Sequence, residues 1–310
     1  DQRLGEDQRE VAAILIIAFT GGELVLRHAA SPLNAEPAER YAVFRQLPPE
    51  QLQGLQILKR ELADRHAQGE YPRVEILGLR GPWQNASMVL QLEDIIGYNP
   101  LRLADYERAV GPGENAEDPN LRTFPATFRG YKCRLAGLLG LEYLVLDRPI
   151  ERMPRHFPRL TGAEIVYGTG RMWIYRLDGA SPRVYVAHEV SAVDSEAALD
   201  QEELPEFNRR SEVLIDDASM HLLKERYASS AEGASPKDLE DRARIVSYQR
   251  NSVTVEVESE AAGVLVLHDV YYPGWEVTVD GERRPMLRAN LLSRGVEIPA
   301  GRHRVEFNFR

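Results

Sequence analysis

The chain has 310 residues, of which 43% are hydrophobic and 28% charged, a composition typical of folded globular proteins and a length that favours two domains over one. Its formal net charge of -10 argues against a nucleic-acid partner, because such a partner requires a basic surface. The single cysteine, Cys133, excludes an internal disulfide and a zinc site built on cysteines.

The first predicted element is the strongly apolar run from Val11 to Phe19. It is shorter than the roughly 20 residues that a membrane-spanning helix needs, so we predict a buried strand or a short core helix. The alternative is the end of a transmembrane helix, in which case residues 1–40 form a membrane-proximal segment. Because Asp1 rather than Met comes first, we expect the chain to be part of a longer protein.

Residues 48–150 alternate between predicted helices and predicted strands. Four leucines recur every three or four residues between Pro48 and Glu70, which marks one face of a helix. They are Leu52, Leu55, Leu58 and Leu62. The other segments are strands at 73–79 and 141–146 and helices at 101–110 and 132–139. This order predicts an α/β or α+β unit.

Residues 160–228 carry three further predicted strands, separated by glycine-containing turns. They lie at 163–167, 172–177 and 183–190. An acidic segment at 194–206 is predicted to form a short helix and a loop. Small polar residues then predict a linker at 229–241, so that residues 1–228 form the first domain.

Residues 242–310 consist of short alternating segments that are typical of antiparallel strands. The predicted strands are 244–248, 252–258, 263–268, 275–279, 296–298 and 303–309. Asp280 and Gly281 stand between two of them and predict a tight hairpin, because both residues tolerate a positive φ. The segment is therefore predicted to be an antiparallel β-sandwich of the jelly-roll kind, and the fold class of the chain to be α+β.

The C-terminal segment resembles the C-terminal region of YfhO-type bacterial membrane proteins. The match lies in the sequences YPGWEVTVDG (272–281), RAN (288–290) and IPAGRHRV (298–305). Two upstream sequences, DIIGYNPL (94–101) and LLGLEYLV (138–145), occur in the order of the family. The resemblance therefore covers residues 71–310 and is weak over residues 150–240.

This resemblance implies a soluble extracytoplasmic region of a polytopic membrane protein of the glycosyltransferase C superfamily type. Such a parent would transfer a sugar from a polyprenyl phosphate to an envelope glycan, with its catalytic acid in a membrane region outside this chain. We therefore expect a domain in the periplasm or at the cell exterior, without catalytic residues or a cofactor of its own. It would bind or orient an envelope glycan or the lipid-linked sugar.

Five residues of the C-terminal segment are candidates for contact with a glycan: Tyr271, Tyr272, Trp275, Asp280 and Asn290. The aromatic rings would stack on sugars, and the two polar side chains would supply hydrogen bonds. The competing interpretation is structural. Trp275 alternates with Val277 and Val279, so the three side chains share one face of a strand, which favours the core, and Asp280 serves the turn.

Other chemistry finds less support in the sequence. The 7 histidines include no pair at metal-binding spacing, so no metal site is predicted. His268 and Asp269 could form a general-base pair, but a strand end satisfied by solvent is the preferred interpretation. A non-catalytic scaffold domain that docks an envelope partner is the main alternative function. A soluble glycan hydrolase is weaker, because the sequence has neither a carboxylate-pair nor a triad signature.

Overall fold

A computed structural model describes residues 6–28, 47–77, 79, 83, 86–95, 103–110, 135–153, 162–200, 205–223 and 241–310. The described helices are α1 (Glu6–His28), α2 (Pro49–Ala67), α3 (Ala86–Leu90), α4 (Ala104–Val110), α5 (Leu135–Leu138), α6 (Ser195–Leu199) and α7 (Asp217–Met220), with a 3₁₀ turn at Ile150–Arg152. The structure contains both helices and several sheets, and the sheets are mostly antiparallel, so the predicted α+β class is confirmed.

The described strands form three sheets, here called A, B and C. Sheet A contains β1 (Arg73–Leu77), β2 (Leu141–Leu146), β3 (Ala163–Thr169) and β4 (Met172–Leu177). Sheet B contains β5 (Val184–Ala187), β6 (Glu189–Val193), β7 (Glu212–Asp216), β10 (Gly263–Val270), β13 (Leu287–Ala289) and β14 (Ser293–Ile298). Sheet C contains β8 (Arg242–Gln249), β9 (Ser252–Ser259), β11 (Trp275–Val279), β12 (Glu282–Arg284) and β15 (Gly301–Phe309).

Two units are distinguished along the chain, residues 1–47 and residues 48–310. Helix α1 belongs to the first, and its large apolar side chains are exposed, with Ile17 at 72% and Leu26 at 82%. The prediction of a buried strand or a core helix for Val11–Phe19 is therefore wrong. Its apolar residues occur on every side of the helix instead of along one face, and they are exposed. Within the described residues, no helix is long and apolar enough to cross a membrane.

Helix α2 opens the second unit and packs on sheet A. Leu55, Leu58 and Leu62 are buried, as the leucine spacing predicts, whereas Leu52 remains 45% exposed. At Gly54 a Cβ atom would lie 2.8 Å from the ring of Tyr167, so glycine permits the close approach of the helix to β3.

Sheet A has the strand order β1-β2-β4-β3. The pair β1–β2 is parallel, and the pairs β2–β4 and β4–β3 are antiparallel. All four strands lie where the sequence predicts strands, and every residue of β2 is buried. This sheet and α2 form the part of the fold that precedes the sandwich.

Sheets B and C pack face to face. Sheet B has the order β5-β10-β14-β13-β7-β6, and sheet C has the order β12-β11-β15-β9-β8. The core between them takes Leu265, Leu267 and Val296 from sheet B and Val255 and Val305 from sheet C, all at 0% exposure. The jelly-roll description remains a prediction, since sheet B contains a parallel pair, β6–β7.

Sheet B closes on itself through one continuous segment. The sequence predicts a single strand at 183–190, whereas the structure has β5 and β6 at opposite ends of the sheet order with only His188 between them. One residue cannot span a six-stranded sheet, so the sheet curls until its two edges meet. A second apolar core, which includes Val213, Ile215 and Val266, lies along this sheet.

Two C-terminal predictions are confirmed in detail. Asp280 and Gly281 have φ angles of 52° and 83° and form the two-residue loop between β11 and β12. Val277 and Val279 are buried in the core between the sheets, and the half-buried Trp275 packs against the same core. The alternation therefore identified the inward face of β11.

The predicted domain boundary falls inside sheet B. Strands β5, β6 and β7 precede the predicted linker at 229–241, and β10, β13 and β14 follow it. Of that linker, only Asp241 is among the described residues. Residues 242–310 therefore share one sheet with residues 184–216 instead of forming a sandwich by themselves.

Candidate functional site

A buried ionic cluster joins sheet A to both sheets of the sandwich. Asp269 of β10 accepts hydrogen bonds from Arg73 Nη2 of β1 at 2.9 Å and from Tyr248 Oη of β8 at 3.0 Å. Arg183, which precedes β5, places Nε 3.4 Å from the same carboxylate and donates Nη2 to Glu93 at 2.9 Å. One carboxylate thus ties together strands from all three sheets.

Burial and charge oppose each other in this cluster. Burial alone would raise the pKa of Asp269, but the guanidiniums of Arg183 and Arg73 hold that pKa below its usual range. Burial lowers the pKa of Arg73, whereas the carboxylate neighbours of Arg183 outweigh its burial and raise its pKa. Asp269 is therefore ionised at neutral pH, as the two arginines require.

An uncharged network surrounds His268, the residue that precedes Asp269. The carbonyl of Pro182 can only accept, so His268 Nδ1, at 2.7 Å, carries the ring proton. His268 Nε2 then accepts from Asn290 Nδ2 at 3.0 Å. The same amide group donates to Tyr185 Oη at 2.9 Å, and its Oδ1 accepts from Leu214 N at 3.0 Å. Burial lowers the pKa of His268 to about 4, so the ring is neutral at neutral pH.

The expectation that solvent satisfies His268 and Asp269 is therefore wrong. The two side chains are 2% and 8% exposed, and each has its own protein partners. Neighbouring residues of a strand point to opposite faces, so the imidazole joins the neutral network and the carboxylate joins the ionic cluster. This separation argues against a general-base pair.

A cleft of about 740 Å³ opens beside the ionic cluster. The end of α2 and strands β2 and β4 line one side, and β5 and β8 line the other, so the cleft separates sheet A from the sandwich. Its charged lining residues are Arg65, Arg176, Arg183, Arg210, Arg242, Arg244, Glu70, Glu142, Asp178 and Asp241. Clefts between subdomains are common ligand sites.

The arginines of this cleft differ in how they are paired. Arg65 donates to both carboxylate oxygens of Glu142, at 2.6 and 3.1 Å. Burial raises the pKa of Glu142 although Arg65 opposes the shift. Arg210 and Arg242 are exposed, and within the described part of the chain neither makes an ion pair. The cleft therefore presents two guanidiniums that an anionic or hydroxyl-rich ligand can engage.

Two of the five predicted glycan contacts lie in an aromatic edge, which we define as Tyr272, Trp275 and Phe309. The ring centroid of Phe309 lies 6.3 Å from that of Tyr272 and 5.6 Å from that of Trp275. Arg294 covers one face of Trp275, with Cζ 3.6 Å from the ring centroid. Tyr272, at 44% exposure, and Phe309, at 37%, therefore carry most of the exposed surface of this aromatic edge.

The other three predicted contacts do not join this edge in the same way. Tyr271 is half-buried, and its backbone N donates to Leu292 O at 2.7 Å. Asp280 lies at the opposite end of β11 from Trp275, roughly 16 Å away at the rise of an extended strand. Asn290 has 0% exposure and uses its amide within the neutral network, so a ligand cannot reach it.

Sequence reasoning missed the cleft. Its arginines lie between positions 65 and 244, and no spacing within the sequence connects them. Among the described residues, no group of His, Cys, Asp or Glu side chains could hold a metal ion. Cys133 lies outside the described residues.

Neither a scan against family models nor searches of curated proteins and solved structures found a match to this chain.

Proposed function

We propose that this chain is a non-catalytic extracytoplasmic domain of a polytopic membrane protein of the glycosyltransferase type, and that it binds or orients an envelope glycan or a lipid-linked sugar. The observation that carries the proposal is the cleft between sheet A and the sandwich. Its size suits a ligand of a few sugar units, and its lining is rich in charged and polar side chains.

Arg210 and Arg242, which make no ion pair within the described residues, indicate the chemistry of the ligand. A guanidinium binds phosphate or carboxylate through paired hydrogen bonds and also donates to sugar hydroxyls. The ionic cluster at Asp269 holds the two sides of the cleft together, so the site is preorganised. The aromatic edge offers a second, separate contact for a longer glycan.

The membrane parent in this proposal rests on the resemblance to YfhO-type proteins. Helix α1 supports it, because its apolar side chains are exposed on all sides, from Val11 to Leu26. A helix of this character is stable when lipid or other protein helices cover it.

Binding to the full chain tests the proposal directly. We expect a glycan array, supplemented with sugar 1-phosphates, to show retained ligands whose affinity falls about tenfold for Arg210→Gln and again for Arg242→Gln, since each loses a charged hydrogen bond. Arg250→Gln is the matched control, because Arg250 is exposed in the turn after β8, outside the residues that line the cleft.

Two outcomes count against the proposal. One is that no glycan and no sugar phosphate is retained by the native chain. The other is that the double variant Arg210→Gln/Arg242→Gln retains ligands as well as the control does, because the cleft would then not be the site.

A further inference from the structure

The outer face of sheet C carries a regular arrangement of arginine and glutamate, here called the arginine lattice. It consists of Arg242 and Arg244 on β8, Glu256 and Glu258 on β9, and Arg302 and Arg304 on β15. Glu258 stands directly opposite Arg242 on one side and Arg302 on the other. Glu256 stands in the same way between Arg244 and Arg304. The lattice is therefore two parallel rows, each with one carboxylate between two guanidiniums.

In the row of Glu258 one carboxylate serves two arginines, so this row keeps an excess of positive charge. Glu258 pairs with Arg302 at 2.9 Å, and Arg242, in the same row, makes no ion pair within the described residues. In the other row Glu256 pairs with Arg244 at 2.7 Å. Arg304 of that row has a carboxylate of its own, so the excess of positive charge in the lattice lies at Arg242.

Arg304, the fourth arginine, turns toward a different carboxylate. Its Nε lies 3.2 Å from Glu306, and its side chain is 56% exposed. The nearby Asp280 is engaged by the protein, since it accepts hydrogen bonds from Arg304 N at 2.8 Å and from His303 Nδ1 at 2.7 Å. These bonds lower the pKa of Asp280 and hold its charge against the turn.

The lattice surrounds a depression of about 670 Å³ that adjoins the cleft. Arg242 and Arg244 line both cavities, so the two cavities meet at these side chains. Along one strand the arginines are roughly 7 Å apart, and across the three strands roughly 10 Å apart. A glycan that leaves the cleft at Arg242 therefore meets further guanidiniums at spacings close to the length of one or two sugar units.

We infer that the cleft and the arginine lattice form one continuous path for a linear acidic glycan, a sugar polymer that carries repeated carboxylate, phosphate or sulfate groups. The inference rests on the proposed function, because the cleft holds one end of the glycan. It adds the chemical class of the ligand and the direction in which the ligand leaves the cleft. Several weak contacts along one ligand raise the overall affinity without any single strong contact.

Oligogalacturonates test the path, because their length varies while the charge per sugar stays constant. We expect long oligogalacturonates to bind the full chain at least tenfold more tightly than galacturonic acid does, and neutral malto-oligosaccharides of equal length to show no such gain. The double variant Arg302→Gln/Arg304→Gln should lose about tenfold in affinity for the long ligand, because two exposed ion pairs with the ligand are removed. It should keep the affinity for the single sugar.

The controls separate this inference from the proposed function. Arg250→Gln removes the same charge from the β8–β9 turn and should leave both affinities unchanged. Equal affinities for single and long acidic sugars, or a double variant that behaves as the native chain, would overturn the lattice while the cleft proposal stands. Binding to vesicles of anionic phospholipid but not to any oligogalacturonate would overturn it as well.

Discussion

Single buried charges decide much of the stability of this fold, and Asp269 is the clearest case. The carboxylate lies among Arg73, Arg183 and Tyr248 at the junction of three sheets. A buried ion pair contributes little compared with an apolar contact of similar size, but the loss of one partner is expensive, because the other charge stays buried without compensation.

The substitution Asp269→Asn keeps the size of the side chain and removes its charge. We expect the free energy of unfolding to fall by about 3–5 kcal/mol, because Arg73 and Arg183 lose their shared counter-charge. Urea denaturation measures this loss. Asp178→Asn removes the same charge at an exposed turn and should change stability by less than about 0.5 kcal/mol. A result for Asp269→Asn as small as that of the control would contradict the ionic cluster as described.

His268 makes the stability depend on pH. Its pKa is about 4 in the folded chain and 6.5 when unperturbed, so the unfolded chain binds more protons between these values. The contribution of the neutral His268 to the free energy of unfolding is therefore fully present above pH 6.5. As the pH falls toward 4 this contribution is lost, which lowers the free energy of unfolding by on the order of 3 kcal/mol. Asp269 adds its own loss only at lower pH, because its folded pKa lies below the usual range.

Unfolding by urea at a series of pH values between 4 and 7 measures this dependence. His268→Gln should flatten the profile, since glutamine replaces both hydrogen bonds without a titrating group. His221→Gln, at an exposed position, should keep the native slope. An unchanged slope in the His268 variant would assign the pH dependence to another group.

At the scale of single elements, two glycines occur for different physical reasons. Gly281 has a φ of 83° in the β11–β12 turn, and an added Cβ would meet no atom within 4 Å. At Gly263 of β10 the φ is not positive, but an added Cβ would lie 2.7 Å from Val186 Cγ1 and 2.9 Å from Ala187 O. The first glycine serves the backbone conformation, and the second serves the packing of β10 against β5.

Alanine and asparagine substitutions distinguish these roles. Gly281→Ala should cost about 1–2 kcal/mol, the strain of a left-handed residue, and Gly281→Asn should cost less because asparagine tolerates that conformation. Gly263→Ala should cost about 1–3 kcal/mol from overpacking, and Gly263→Asn should cost more than alanine does. Thermal unfolding of the four variants gives both orders. The same order at both sites would contradict the distinction.

The elements themselves were predictable where a pattern lies within one segment. The leucine spacing of α2, the alternation in β9 and the Asp280–Gly281 turn each record local geometry, and the structure confirms all three. Strands β7 and β13 were missed because they are short and obtain their stability from neighbouring strands, not from a pattern of their own. For α1, the apolar composition predicts burial, but burial depends on contacts with other segments, and the described residues leave these side chains exposed.

The whole molecule depends on contacts that no local pattern records. The cleft draws its arginines from α2, β4, β8 and the segments before β5 and β7, and only the packing of sheet A beside the sandwich brings them together. Asn290 shows the converse. Its place in the family-like sequence suggested a glycan contact, but the fold buries it between β7 and β10, where its amide completes a hydrogen-bond network.

The fold also predicts whether residues 242–310 form an independent domain. In a fragment of residues 242–310, β10 loses its neighbour β5 and β13 loses its neighbour β7. The apolar faces of Val264 and Val266 would then be exposed, and the open strand edges would favour aggregation. We expect this fragment to remain unfolded or to aggregate, and residues 48–310 to unfold in one cooperative transition. Circular dichroism during heating and the dispersion of amide NMR signals measure both. A well-dispersed spectrum and cooperative unfolding of the short fragment would restore an independent C-terminal sandwich with its boundary at the predicted linker.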